Sequence, residues 1–278
     1  MDAEKLAPLL TAATRAVIAV SLFGLIPDVK RIRAVLDAAE EKFGTRISLI
    51  EDAAQSFGAR RGGYRSCAAP EVTMATTSFF PTKPLSCYGD GGAVFTRSKE
   101  LAAMVRALRV HGKVEGRHVL VGVNGRLDTI QAAVLLTKLK AFDEMIDKRG
   151  KAAETYNRLL YDDERVVTPT YQRVVREDRE VRSVYGVYTI RVQKRDEVAK
   201  RMRMSDVACA IYYPLCCHQQ PVFKGLVSEP GALIVAEEAS REVLSLPMHP
   251  YLSEDVQVRV VKELRTALDD LGVTASPE

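Results

Sequence analysis

No two of the five cysteines, Cys67, Cys87, Cys209, Cys216 and Cys217, stand at CxxC spacing, and their number is odd. That spacing argues against a disulfide framework and reads instead as a reduced, cytosolic chain. Cys216-Cys217-His218 invites a metal reading, but adjacent cysteines splay apart and no second ligand pair follows, so no metal site is expected. Long apolar runs are lacking too. No segment reaches ~18 uncharged apolar residues, and Asp2, Glu4 and Lys5 interrupt the first turn of chain, so neither a membrane span nor a signal peptide has support. A basic block is also absent: 40 Lys and Arg are interspersed with 36 Asp and Glu for a net charge of +4. Nucleic acid is therefore not the expected partner, whereas phosphorylated or nucleotide-linked small molecules need only a few local cations. There is no internal repeat or low-complexity stretch. What is present is a chain of 278 residues, 47% hydrophobic and 27% charged, enough to bury a sizeable core in one large domain or one and a half.

Along the chain, periodicity organises the first half into a strand, a crossover helix and a parallel strand. Ala16 to Val20 is a short β-branched apolar run. A helical pattern follows with Val29, Ile32, Leu36, Ala39 and Phe43 on one face, stopped by Gly44. Ile47 to Ile50 is the next strand, and it ends at Glu51-Asp52. In open α/β sheets chemistry sits beyond the carboxyl ends of strands, which singles out Asp52 by position. Thr73 to Phe80 predicts another strand, leading into Pro81-Thr82-Lys83-Pro84, a loop bracketed by two prolines that fix the backbone torsion. After a Gly-rich turn and a short strand from Ala93 to Thr96, Ser98 is placed to cap a helix with Leu101, Met104, Val105 and Leu108 on its apolar face. Asp128 to Leu160 is helical almost throughout, with Ile130, Val134, Leu139, Phe142, Met145 and Ile146 at helical spacing and a break expected at Gly150. Beyond it, Val184 to Val192 and Ala208 to Tyr213 predict strands, and two helices are expected near residues 232 to 244 and 254 to 269.

Four ordered segments carry the chemistry: Glu51-Asp52-Ala53-Ala54-Gln55, Ser78-Phe79-Phe80-Pro81-Thr82-Lys83, Tyr88-Gly89-Asp90-Gly91-Gly92-Ala93 and Asn124-Gly125-Arg126-Leu127-Asp128. In order and approximate spacing they resemble the DegT/StrS family of pyridoxal-phosphate (PLP) sugar aminotransferases, and the likeness continues through Ile211-Tyr212-Tyr213-Pro214 and Leu244-Ser245-Leu246-Pro247-Met248. It implies an α/β chain of PLP-dependent transferase fold type I: the remainder of a large PLP-binding domain with a parallel-rich sheet over residues 1–145, and a smaller α+β domain over 146–278. The family's N-terminal segment, which in complete members holds a phosphate-cradling loop and the residue stacked on the ring, is expected to be lacking. Glutamate is the implied amino donor and a nucleotide-linked keto-sugar the implied acceptor, in a cytoplasmic homodimer with shared active sites.

Each assignment has a bland rival. A lysine joined to PLP as a Schiff base must shed its proton to react, so it needs a site that disfavours the charged form; by resemblance that lysine is Lys83, which in isolation would read as a surface lysine. PLP is an electron sink while its ring nitrogen stays protonated, which a carboxylate opposite that nitrogen maintains; resemblance gives Asp52 this place, against an ordinary turn carboxylate. Gln55 is implied near the phenolic oxygen, against a solvent-facing polar residue, and Ser78 at the phosphate, against a turn former. Asn124 and Arg126 match the part that reaches the neighbouring subunit's site, against a capping turn before Asp128. Tyr212 bears on substrate contacts.

The likeness has departures: Pro84 where Asn is usual, Val123 where Tyr is usual, Gly186 where His is common and Tyr212 where His precedes Tyr-Pro. A rival to the enzymatic reading is a non-catalytic fragment, or one that depends on a separately encoded partner. A third reading, the related sugar dehydratases, replaces the lysine by histidine, and Lys83 argues against it.

Overall fold

The computed structural model describes residues 1–169, 181–223, 225 and 233–275, and the chain divides into two compact units. The first takes in Met1–Ile146 and the described residues 181–186; the second begins at Asp147 and resumes at Val187.

In the first unit, β1 (Ala16–Val20), α1 (Val29–Phe43), β2 (Ser48–Asp52), β3 (Met74–Ser78) and β4 (Gly92–Phe95) follow in order. The strands form a mixed α/β sheet in the order β1-β2-β3-β4, the first three parallel and β4 antiparallel to β3. Helix α1 forms where its apolar spacing predicts: Asp28 caps it by accepting from the Arg31 N–H at 3.0 Å, and Gly44 ends it in the left-handed conformation. Strand alternation then sorts the sheet's two faces. Val17, Ala19, Leu49 and Ala75 share one core with Ile32 and Leu36 of α1. The opposite face, which carries Asp52 and Ser78, is open, with Ile18 57% exposed.

Helix α2 (Lys99–Leu108) begins at Ser98, whose hydroxyl accepts from the Leu101 N–H at 3.2 Å. Its expected apolar face is only partly covered, since Met104 is exposed. The predicted long helix is two: α3 (Thr129–Leu139) and α4 (Phe142–Leu159). Its break falls at Lys140-Ala141 and not at Gly150, which lies inside α4. Thr137 donates its hydroxyl back to the Ala133 carbonyl, a bond that bends helices, and the last turn closes by i to i−3 bonds from Lys140 and Ala141. Phe142 and Ile146 then enter the core, Phe142 against Phe57 with ring centroids 5.8 Å apart, whereas Ile130 and Leu139 of the same expected stripe are exposed. Strand β3 is shorter than expected because the Phe79 N–H bonds to the Gly91 carbonyl and turns Phe79 into the core.

In the second unit, β5 (Tyr188–Arg191), α5 (Arg195–Met204), α6 (Ile234–Glu242), β6 (Val243–Leu246) and α7 (Glu254–Asp270) follow, with β5 and β6 antiparallel. The strand expected from Val184 starts only at Tyr188, because the Val184 and Gly186 N–H groups bond instead to the Gly24 and Phe23 carbonyls in the first unit. Ala208 to Tyr213 does not form a strand; Ala210 makes a single bridge to Ser245. The expected helix at 232 to 244 ends earlier, at Glu242, as Val243 and Leu244 join the β ladder; position 232 lies outside the described residues. Two features went unforeseen, the two-residue hairpins Arg60–Arg61 with Tyr64–Arg65 and Lys113–Val114 with Arg117–His118.

Buried Asp163, its side chain 6% exposed, receives a two-pronged hydrogen bond from Arg165 (2.7 and 2.8 Å), and this holds its carboxyl below the usual carboxylate range. A lowered folded value makes the stabilisation complete above the unfolded value near ~3.9 and removes it as pH falls through the folded one. Asp163→Asn is therefore expected to cost about 1–3 kcal/mol at pH 7, a gap to wild type that narrows at pH 3. Urea unfolding at both pH values checks this, and an unchanged gap contradicts it.

Candidate active site

Asp52 is the last residue of β2, paired across to Val20 of β1 and Thr76 of β3. Paired residues of neighbouring strands share a face, and residues two apart along a strand do too. Ser78, two beyond Thr76 and opposite Gly92, therefore stands on the same open face as Asp52. Both are half-buried. Asp52 accepts through Oδ1 from the Ala54 N–H at 3.1 Å, which fixes the turn after β2. Ser78 Oγ accepts from the Phe80 N–H at 3.2 Å, so the hydroxyl's own hydrogen is what it offers to an anion.

Gln55 lies in the turn after β2. The Phe23 N–H sits 2.6 Å from one end of its side-chain amide, and since a backbone N–H can only donate, that end is the oxygen. The other end, an NH2 donor, is what Gln55 presents elsewhere. Phe23 reaches this position through a left-handed turn, with φ 60° at Phe23 and 113° at Gly24. At Gly24 a Cβ would stand 2.9 Å from the backbone nitrogens of Tyr185 and Gly186, so both conformation and space require glycine there.

Lys83 closes a turn five residues beyond Ser78, its N–H bonding to the Phe80 carbonyl at 2.9 Å. Pro81 and Thr82 are exposed, Lys83 is half-buried, and Pro84, Leu85, Ser86 and Cys87 are buried, so a short packed segment anchors the lysine. Asp52, Gln55, Ser78 and Lys83 are thus all carried at the carboxyl ends of the adjacent strands β2 and β3.

Asn124 and Arg126 lie on a different loop from these four. Both are exposed, Asn124 accepts from Arg126 Nε at 2.9 Å, and their loop is tied to the end of α2 by a bridge to Val110. Arg126 lines a cavity of about 960 Å3 along β4 and α2, together with Val94, Val105 and Arg109; none of Asp52, Gln55, Ser78 and Lys83 lines it. Tyr212 belongs to the second unit, half-buried, with its ring 5.4 Å from that of Tyr213. His218 pairs through Nε2 with Glu237 Oε1 at 2.9 Å, both side chains 8% exposed. Among the described residues no group of three or more His, Cys, Asp or Glu could hold a metal ion.

Two elements of this geometry were not assigned from sequence. Phe23 lies outside the four ordered segments. Glu51 stood inside one, and its only signal was alternation: next to Asp52 on a strand, it must face the core.

Over 253 residues the chain is 43% identical to the UDP-2-acetamido-2-deoxy-3-oxo-D-glucuronate aminotransferase of Pseudomonas aeruginosa, covering 91% of this chain and 66% of that one. It is 41% identical to the pleiotropic regulatory protein of Geobacillus stearothermophilus, covering 95% and 68%. The crystal structure of DesV from S. venezuelae in complex with a ketimine intermediate superposes with a TM-score of 0.85 at 32% identity, covering 96% of this chain and 68% of that one. The chain thus spans about two thirds of the length of these relatives. With the family model matching residues 1–265, the chain belongs to the DegT/DnrJ/EryC1/StrS aminotransferase family.

Proposed function

We propose that the protein is a PLP-dependent aminotransferase that moves an amino group, with glutamate as donor, onto a nucleotide-linked keto-sugar. One observation carries the reading: residues bearing a carboxylate, an amide, a hydroxyl and a primary amine are carried on the carboxyl ends of the adjacent strands β2 and β3 and the turns that follow them. These match, group for group, the ring nitrogen, phenolic oxygen, phosphate and aldehyde of PLP. Asp52 would hold a proton on the ring nitrogen, Gln55 would donate to the phenolic oxygen and Ser78 to the phosphate, and Lys83 would form the covalent link. When bound, PLP supplies an electron sink that makes a proton beside the transferred nitrogen removable. The residue that takes and returns that proton is Lys83, through Nζ.

The reading extends to the assembly. Asn124 and Arg126 sit in a stretch that leaves several apolar residues uncovered, Val121 98%, Val123 65% and Ile130 76% exposed, while Leu127 packs on the core. Exposed apolar residues of this kind suit contact with a second copy of the chain, with Asn124 and Arg126 reaching its site and Tyr212 contacting the sugar. Five free thiols suit a cytoplasmic setting. No helix among the described residues is long and apolar enough to cross a membrane.

The test is amino transfer itself. With PLP and L-glutamate supplied, 2-oxoglutarate is expected to accumulate beyond one equivalent per site only when a nucleotide-linked keto-sugar is added to take the amino group from the cofactor; the sugar that the Pseudomonas aeruginosa relative is named for is the first to try. Continued 2-oxoglutarate formation indifferent to keto-sugar, or no turnover beyond one equivalent with a panel of UDP- and dTDP-linked keto-sugars, counts against the reading.

A further inference from the structure

Glu51 is fully buried and charged by type, and it takes no part in the chemistry proposed above. It faces the core side of β2, opposite to Asp52, and three donors converge on it. Ser21 Oγ and Ser66 Oγ donate to Oε1 at 2.9 and 3.0 Å, and the Cys67 N–H donates to Oε2 at 2.9 Å. Because Ser66 spends its hydrogen on Glu51, the 2.9 Å contact between the Ser56 and Ser66 hydroxyls must be donated by Ser56. An isolated carboxylate in a core is costly unless it is hydrogen-bonded, so this network fixes its members to one geometry. The neighbouring thiol feels it: burial first, and the charge of Glu51 second, push Cys67 up to about 12.

What hangs from the network matters more than the network. Ser21 begins the turn that delivers the Phe23 N–H to the oxygen of Gln55, and its own N–H bonds to the Asp52 carbonyl at 2.9 Å. Ser56 is the residue after Gln55 and ties its turn back through Ser66. Both sides of the Gln55 amide are therefore suspended from one carboxylate: the donor that claims its oxygen, and the backbone that carries it.

We propose that Glu51 is a positioning residue, which through Ser21 and Ser56 sets which end of the Gln55 amide faces the cofactor's phenolic oxygen. The role of Gln55 rests on the functional reading above; the coupling of Glu51 to the Phe23 turn does not. Glu51→Gln tests it, because glutamine keeps the shape but brings an NH2 group among donors, leaving at least one donor without an acceptor.

Two measurements separate the two levels. The first is hydrogen exchange at the Phe23 amide without cofactor. Glu51→Gln and Ser21→Ala are expected to speed it at least tenfold, while the Leu36 and Leu264 amides exchange as in wild type. Unchanged exchange at Phe23, or equal acceleration everywhere, overturns the proposal. The second is a pH titration of the visible band of PLP bound to the protein. Gln55→Ala and Glu51→Gln are expected to move its midpoint in the same direction, and the double variant no further than Gln55→Ala alone. A midpoint moved by Gln55→Ala and left in place by Glu51→Gln also overturns it. Absence of any bound band in wild type overturns the reading of the site instead, and the exchange result then decides the coupling on its own.

Discussion

Replacing Lys83 by alanine is expected to abolish covalent retention of PLP and to lower amino transfer by more than roughly 10^4-fold, the upper end of what a positioned proton-transfer group contributes. The size follows from two losses at one atom. Nζ is both the point of covalent attachment and the group placed to carry the proton, and no other lysine shares its turn. Lys138 is the proper control: its Nζ donates to Ser86 Oγ at 3.1 Å and lies 4.7 Å from the Tyr88 ring centre, within the same neighbourhood but outside the proposed machinery. Lys138→Ala is expected to retain covalent cofactor. Retention of activity by Lys83→Ala would remove the basis of the account.

Asp52→Asn carries the second large effect. Asparagine preserves size and can still accept from the Ala54 N–H, so the turn after β2 survives. What is lost is the charge opposite the ring nitrogen. Asp52 is half-buried, and once the cofactor covers it, removing one member of the resulting buried charge pair costs about 3–5 kcal/mol, which as a barrier is roughly 10^2 to 10^4 in rate. The expected pattern is a cofactor still held at Lys83 with kcat reduced by that factor. Steady-state kinetics beside a visible spectrum checks it. A kcat within a factor of a few of wild type would mean that Asp52 is only a turn carboxylate.

How much of this was legible in the sequence depends on what fixes each feature. Helix α1 was readable because its period and its stop at Gly44 are both local; its cap at Asp28, equally local, was not assigned. The break between α3 and α4 was not: Gly150 marks the expected place, but the Thr137 back-bond and the turn of Phe142 into the core decide it, and these depend on packing. Ile130 and Leu139 show the same limit, since periodicity records an apolar stripe without saying what covers it. Within the site, the motifs marked Asp52, Gln55, Ser78 and Lys83, whereas the shared face of Asp52 and Ser78 depends on the register of β2 against β3, which no single strand's sequence contains. The orientation of Gln55 was out of reach, because it is set by Phe23, 32 residues earlier in the chain.

The central claim is that Lys83 is the covalent cofactor residue in a site formed by this chain. Its most direct measurement is a visible spectrum after adding PLP, followed by borohydride reduction and peptide mapping. The account predicts a protein-bound band and a reduced label on the peptide containing Lys83. No band, or label scattered over exposed lysines, would contradict it.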